Sequence, residues 1–168
     1  MAKNETDAKQ ALHIISMLVE DKFGVLQRIS GVFSRRGFNM DSLTVGATTT
    51  PGVSRMTITT RGTDERVEQI VKQLSKLVET LKVSELSPDD SVSREIALVK
   101  VSVKDFATRS EVLSYADIFR ARVVDVAAKS LTIEITGEST KVDAFIDLIK
   151  PFGIKEVVRT GICALQRD

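Results

Sequence analysis

A chain of 168 residues has room for one medium domain or two small ones, and its 42% of apolar side chains can fill a core. Its 24 basic and 23 acidic side chains nearly cancel, which removes the charge excess expected of a protein that lives on nucleic acid or an anionic membrane. With seven phenylalanines, one tyrosine and no tryptophan, the core must be built from Val, Ile and Leu.

Residues 1–11 begin with MAKNETDAKQ, polar and mixed in charge, and read as a flexible N-terminus rather than a signal peptide. LHIISMLV, 12–19, is β-rich and apolar on both faces, as a central strand is. Val25, Ile29, Val32 and Phe33 then recur at helical spacing, and Gly37 supplies a stop. Leu43, Val45 and Ala47 alternate as a strand, TTTPG turns the chain, and Met56 and Ile58 alternate in a third strand. A second helix carries Val67, Ile70, Val71, Leu74, Leu77 and Val78 on one face, and Leu81 and Val83 mark a fourth strand.

Residues 87–94, containing SPDDSVS, have the small, charged and turn-forming composition of a linker. The order then repeats: a strand over 96–103, a helix over 110–119, a strand over 122–126, and alternation at Leu131, Ile133 and Ile135. Val142, Phe145, Ile146 and Ile149 define the last helix, broken by Pro151, and 154–165 ends the chain as one long or two short strands. No segment approaches the roughly 18 unbroken apolar residues of a membrane span. The pattern predicts an α+β protein of two consecutive βαββαβ, ferredoxin-like domains over 12–86 and 95–168, each an antiparallel sheet with helices on one face. The other face of each sheet needs a cover, so a homo-oligomer is expected.

Chemistry is sparse. His13 is the only histidine and lies in a strand, so one chain assembles no histidine pair or metal trio, and a structural role is the expectation. Cys163, the only cysteine, forms no internal disulfide, fits a reducing cytoplasm and reads as a packed, inert thiol. No nucleophile elbow, Walker loop or dinucleotide fingerprint occurs. RNA-binding domains share this element order but stack bases on sheet aromatics, and neither VSRMTITT nor LTIEIT carries one.

One stretch stands apart, EDKFGVLQRISGVFSRRGFN over 20–39. Gly24 leaves space at a helix start whose first amides lack internal acceptors, a place that favours a carboxylate. Asn39 opens the next strand after Gly37, on the connection returning from the helix, with an amide that both donates and accepts. The same residues also make an ordinary glycine turn with an asparagine cap.

The blocks VEDKFGVLQRISGVFSRRGFNMDSLTVG, SRMTITTRG, QIVKQLSKLVETLKVSEL, SREIALVKV, IFRARVVDV and VVRTGICAL, in this order from about Leu12 to Leu165, closely resemble the family of small regulatory subunits of acetohydroxyacid (acetolactate) synthase. The resemblance implies that 12–86 is an ACT domain, a small-molecule sensor, and that 95–168 is a C-terminal regulatory domain. It implies a cytoplasmic protein with no catalysis of its own and no cofactor in this chain. Its partner would be a large catalytic subunit that carries thiamine diphosphate, magnesium and FAD. The small subunit would stimulate that enzyme and confer feedback inhibition by valine, or by leucine or isoleucine, in branched-chain amino acid biosynthesis. The implied effector site comprises Asp21, Lys22, Phe23, Gly24, Val25 and Leu26, with Asn39 and Met40 supplied by the adjacent subunit of a homodimer formed through the ACT domain. Asp21 stands where relatives often carry asparagine, and Phe23 where a smaller residue is frequent. A free-standing ACT-type amino-acid sensor for another enzyme is the second reading, though such a sensor has no need of SREIALVKV and VVRTGICAL.

Overall fold

Alternation along Ala11–Glu20 sends His13, Ile15, Met17 and Val19 to one side of a strand and Ile14, Ser16 and Leu18 to the other, and both sides are largely buried. The computed structural model that shows this describes residues 11–168. Of the flexible N-terminus expected over 1–11, residues 1–10 lie outside the described residues and Ala11 is already in the strand.

The first unit runs β1 (Ala11–Glu20), α1 (Val25–Arg35), β2 (Ser42–Ala47), β3 (Val53–Gly62), α2 (Asp64–Leu74) and β4 (Thr80–Leu86). Its antiparallel sheet has the order β2-β3-β1-β4. The register pairs Ile15 with Ile58 and Met17 with Met56 and Val83, so one face presents a continuous apolar surface. Val25, Ile29, Val32 and Phe33 of α1 and Val67, Ile70 and Leu74 of α2 cover that face. Each such side chain, fully buried, contributes about 1.5–3 kcal/mol.

The second unit, Ser93–Gly161, repeats the order with β5 (Ser91–Ser102), α3 (Phe106–Ile118), β6 (Arg122–Ala127), β7 (Ser130–Gly137), α4 (Ser139–Ile149) and β8 (Ile154–Arg159). Its strands follow β6-β7-β5-β8. Val99, Val101, Ile133 and Ile135 meet Val112, Ala116, Val142, Phe145 and Ile149 in a separate core. Glu95 is buried on this sheet and is met by the guanidinium of Arg159, which also donates to Asp143 at 2.6 Å. Burial acts against the charge of Arg159, but its bonds to Glu95 and Asp143 hold its pKa above the ordinary value. The architecture is two βαββαβ, ferredoxin-like units of antiparallel sheet with helices packed on the sheets.

Four local differences from the sequence reading have physical causes. The linker over 87–94 is shorter than expected, because Ser91 already opens β5. The helix predicted through Val78 stops at Leu74: Leu77 N–H donates to Leu74 O at 3.2 Å in a tight turn that leaves Val78 exposed. Helix α3 starts earlier than 110 because the Asp105 carboxylate accepts from Thr108 N–H at 2.7 Å, which caps a first turn at Phe106.

The fourth difference is topological. The apolar run over 154–165 forms two strands, parted at Gly161, which takes a positive φ of 82°. The second, β9 (Cys163–Gln166), pairs with β5, and Ile162–Asp168 clusters with the first unit, to which the opening residues of β5 also belong. Arg167 N–H donates to Asp90 O at 2.7 Å, and Ile162 and Ala164 pack on Ile14 and Leu86. The alternation that buries Ala164 turns Cys163 outward, so the thiol is exposed rather than packed.

Candidate functional site at the first strand-to-helix turn

The turn leaving β1 is held by its backbone. Asp21 N–H donates to Gly52 O at 2.8 Å and Lys22 N–H to Glu20 O at 3.0 Å. Lys22 folds back onto the Glu20 carboxylate at 2.8 Å, and that hydrogen bond, with the attraction of the charges, raises the ammonium pKa. Gly24 then takes φ 82° and ψ −5°, the left-handed region that only glycine enters without strain. It stands at the N-cap and offers no side-chain acceptor, and the first turn of α1 carries no acidic residue. Arg28 N–H donates to Gly24 O at 3.0 Å, the first helical bond, and the amides of Leu26 and Gln27 meet no acceptor among the described residues. The result is a helix start with open donors and a positive dipole end, suited to a carboxylate.

The side chains around this turn divide by direction. Val25 is turned into the core at 4% exposure, so only its backbone faces the turn. Asp21, Phe23 and Leu26 are exposed, Phe23 completely. Arg28, one helical turn on, leans back over Gly24: a Cβ built on Gly24 would stand 3.8 Å from its guanidinium, which pairs with Glu79 at 2.6 Å. Arg28 adds a positive charge to the site that the sequence reading did not include. Its i+4 position from Gly24 was the available signal.

Asn39 and Met40 lie elsewhere. They occupy the connection before β2, whose first residue is Ser42, rather than the strand itself. Asn39 is exposed, donates from Nδ2 to Asp41 Oδ1 at 3.2 Å, and accepts from Thr60 Oγ1 at its carbonyl at 2.6 Å. Met40 packs partly against the core of the first unit.

Register fixes the separation. Glu20 pairs with Val53 at one end of β3, while Ser42 pairs with Thr59 near the other. Six residues of strand at about 3.3 Å each place the two groups roughly 20 Å apart along the sheet. One chain therefore brings Asp21 to Leu26 together and does not bring Asn39 and Met40 to them.

His13 sits away from both groups. Its Nδ1 lies 2.6 Å from Glu85 Oε1 and its Nε2 3.2 Å from Gly62 O, so the ring ties β1 to β4 and to the end of β3. No group of three or more His, Cys, Asp or Glu among the described residues could hold a metal ion. No helix of the described residues is long and apolar enough to cross a membrane.

Comparison with known proteins gives consistent matches along the chain. The profile described as the AHAS small subunit-like ACT domain matches residues 15–82, and that of the small subunit of acetolactate synthase matches residues 94–168. The chain is 54% identical over 155 residues to a probable acetolactate synthase small subunit of Methanothermobacter thermautotrophicus, covering 92% of each. It is 48% identical over 155 residues to the acetolactate synthase small subunit of Mycobacterium leprae, covering 92% of this chain and 91% of that one. Among solved structures, the acetolactate synthase small subunit from Thermotoga maritima superposes with a TM-score of 0.87 at 43% identity, covering 94% of this chain and 98% of that one.

Proposed function

This chain belongs to the acetolactate synthase small-subunit family, and from that premise we propose that it stimulates the catalytic subunit and renders it sensitive to valine. The family implies the catalytic subunit as partner. On this reading that subunit holds thiamine diphosphate, magnesium and FAD and condenses two pyruvates, or pyruvate and 2-oxobutyrate. This chain supplies only the control and has no catalytic role.

The observation that carries the sensor reading is the split site. Strand β2 is an edge of the first sheet, with Val45 47% exposed. An edge strand is a template for pairing with a second copy. If two copies pair β2 antiparallel about a two-fold axis, each chain is reversed relative to the other. Asn39 and Met40 of the partner subunit then stand at the end of the sheet where Gly24 opens α1. The ligand carboxylate binds the open amides beside Arg28. Its ammonium is held by the Asn39 amide oxygen and the Asp21 carboxylate, and its isopropyl group by Leu26 and Met40. Burying that group contributes on the order of 1.5–3 kcal/mol. The homodimer is thus part of the site, and the effector favours whichever arrangement of the two copies closes it.

Mixing variants tests the shared site. Gly24→Asp and Asn39→His homodimers each carry two damaged sites and should bind valine weakly. Mixed dimers place both substitutions in one site and leave the other intact, so half of the wild-type binding capacity should return in equilibrium dialysis. No recovery in verified mixed dimers contradicts a site built from two chains.

A further inference from the structure

The face of the first sheet turned away from α1 and α2 has its own composition. Leu18 on β1 pairs with Arg55 on β3 and with Lys82 on β4, so the two cations flank it from either side. Neighbouring strands are about 4.8 Å apart, which sets the Cα atoms of Arg55 and Lys82 roughly 10 Å apart across one strand. The next row toward the other end of the sheet is hydroxylic: Ser16 pairs with Ser84 on one side and Thr57 on the other. Arg55 Nη1 donates to Ser16 Oγ at 3.1 Å, which aims the guanidinium inward over that row.

Ser16, Leu18, Arg55, Lys82 and Ser84 line a cavity of about 210 Å³, closed at one side by Leu165 and Gln166 of β9. Neither cation forms an ion pair among the described residues, whereas Glu20 is committed to Lys22 and Asp41 to Arg61. Two like charges held around one concavity, with hydroxyl donors beneath and no carboxylate, are an arrangement that an anion completes.

We propose that this concavity is a second ligand site, for a small doubly charged phosphate. A dianion neutralises both cations at once, and the Arg55 fork matches phosphate oxygens with two parallel N–H donors. Lys82 supplies a point charge from the opposite strand, and Ser16 and Ser84 supply hydroxyl donors. A volume several times that of a water molecule, whose liquid share is about 30 Å³, holds a phosphate group with room for a short organic substituent. Because β9 forms one wall, an occupied site also ties the C-terminal strand to β1, β3 and β4.

The test uses the full chain titrated with inorganic phosphate and, separately, with glycerol phosphate. Ionic strength is held constant with chloride, and binding is read by thermal shift and by the amide resonances of Leu165 and Gln166. The expected result is saturable binding of at least one of the two ligands. Binding should weaken at least tenfold in Arg55→Gln and in Lys82→Gln and remain unchanged in Lys76→Gln, which removes an exposed charge from α2's end. Tighter binding of glycerol phosphate assigns the site to phosphate monoesters, and equal or tighter binding of inorganic phosphate assigns it to the free ion. Circular dichroism and melting in chloride confirm that the variants are folded. Titrations that do not saturate, or that are identical in wild type and both charge variants, overturn the proposal.

Discussion

Replacing Gly24 by aspartate and, in parallel, by asparagine separates the two demands made at the start of α1. Either side chain must occupy φ near +82°, which costs an L residue about 1–2 kcal/mol, least for Asn and Asp. Space does not add to this, since a Cβ there meets only the tip of Arg28, at 3.8 Å. Both variants should therefore fold and lose comparable stability. They differ in charge. If the effector's carboxylate binds the open amides, the new aspartate stands within about 4 Å of it, and the repulsion is ~1 kcal/mol in water and ~4 kcal/mol in a protein-like surface environment. Arg28 offsets part of that repulsion, although it is already paired with Glu79 at 2.6 Å. A net difference of about 1–2 kcal/mol remains, so valine should bind roughly tenfold more weakly to Gly24→Asp than to Gly24→Asn. Equilibrium dialysis with labelled valine measures this, with melting curves as the check on folding. Equal affinity in both variants would refute a carboxylate site at this turn.

Other consequences lie outside the effector turn. Deleting Ile162–Asp168 uncovers Ile14 and Leu86 and should destabilise the first unit by about 2–4 kcal/mol, read as an earlier melting transition that a wild-type transition temperature would contradict. Arg159→Met leaves the buried Glu95 without its guanidinium; because Arg159 is one-third exposed, the cost should fall below the ~3–5 kcal/mol of a fully buried broken pair, near 1–3 kcal/mol in denaturant unfolding. The Asp105 carboxyl is held below the ordinary aspartate range by the Thr108 N–H. The stability it contributes is present above the unfolded pKa and lost as pH falls through the lowered folded one, so Asp105→Asn should flatten the acid side of the second unit's melting profile.

Periodicity made most of the fold legible. The helix faces Val25-Ile29-Val32-Phe33 and Val142-Phe145-Ile149 carry core residues, and Ile133 and Ile135 point inward as alternation requires. It failed where pattern and geometry part. Leu77 and Val78 continue the spacing of α2 although a hydrogen-bonded turn has already ended the helix. The Asp105 cap lies before the apolar pattern of α3 begins. The pairing of β9 with β5 was not legible, because alternation at Ile162 and Ala164 marks a strand with one buried face without naming the strand it pairs with. For the site, the sequence pointed to the glycine turn and to Asn39, yet only the register of β1, β2 and β3 shows that a single chain holds them at opposite ends of a sheet. The cation pair on the free face was equally hidden, since Arg55 and Lys82 are neighbours only through their shared partner Leu18.

The most direct test of a regulatory role is reconstitution with the catalytic subunit from the same cell, following acetolactate formed from pyruvate with thiamine diphosphate, magnesium and FAD supplied. The chain alone should form none, the catalytic subunit alone should turn over slowly, and the mixture should run faster and be inhibited by valine. An unchanged rate in the mixture, with valine acting equally in the presence and absence of this chain, would contradict the account.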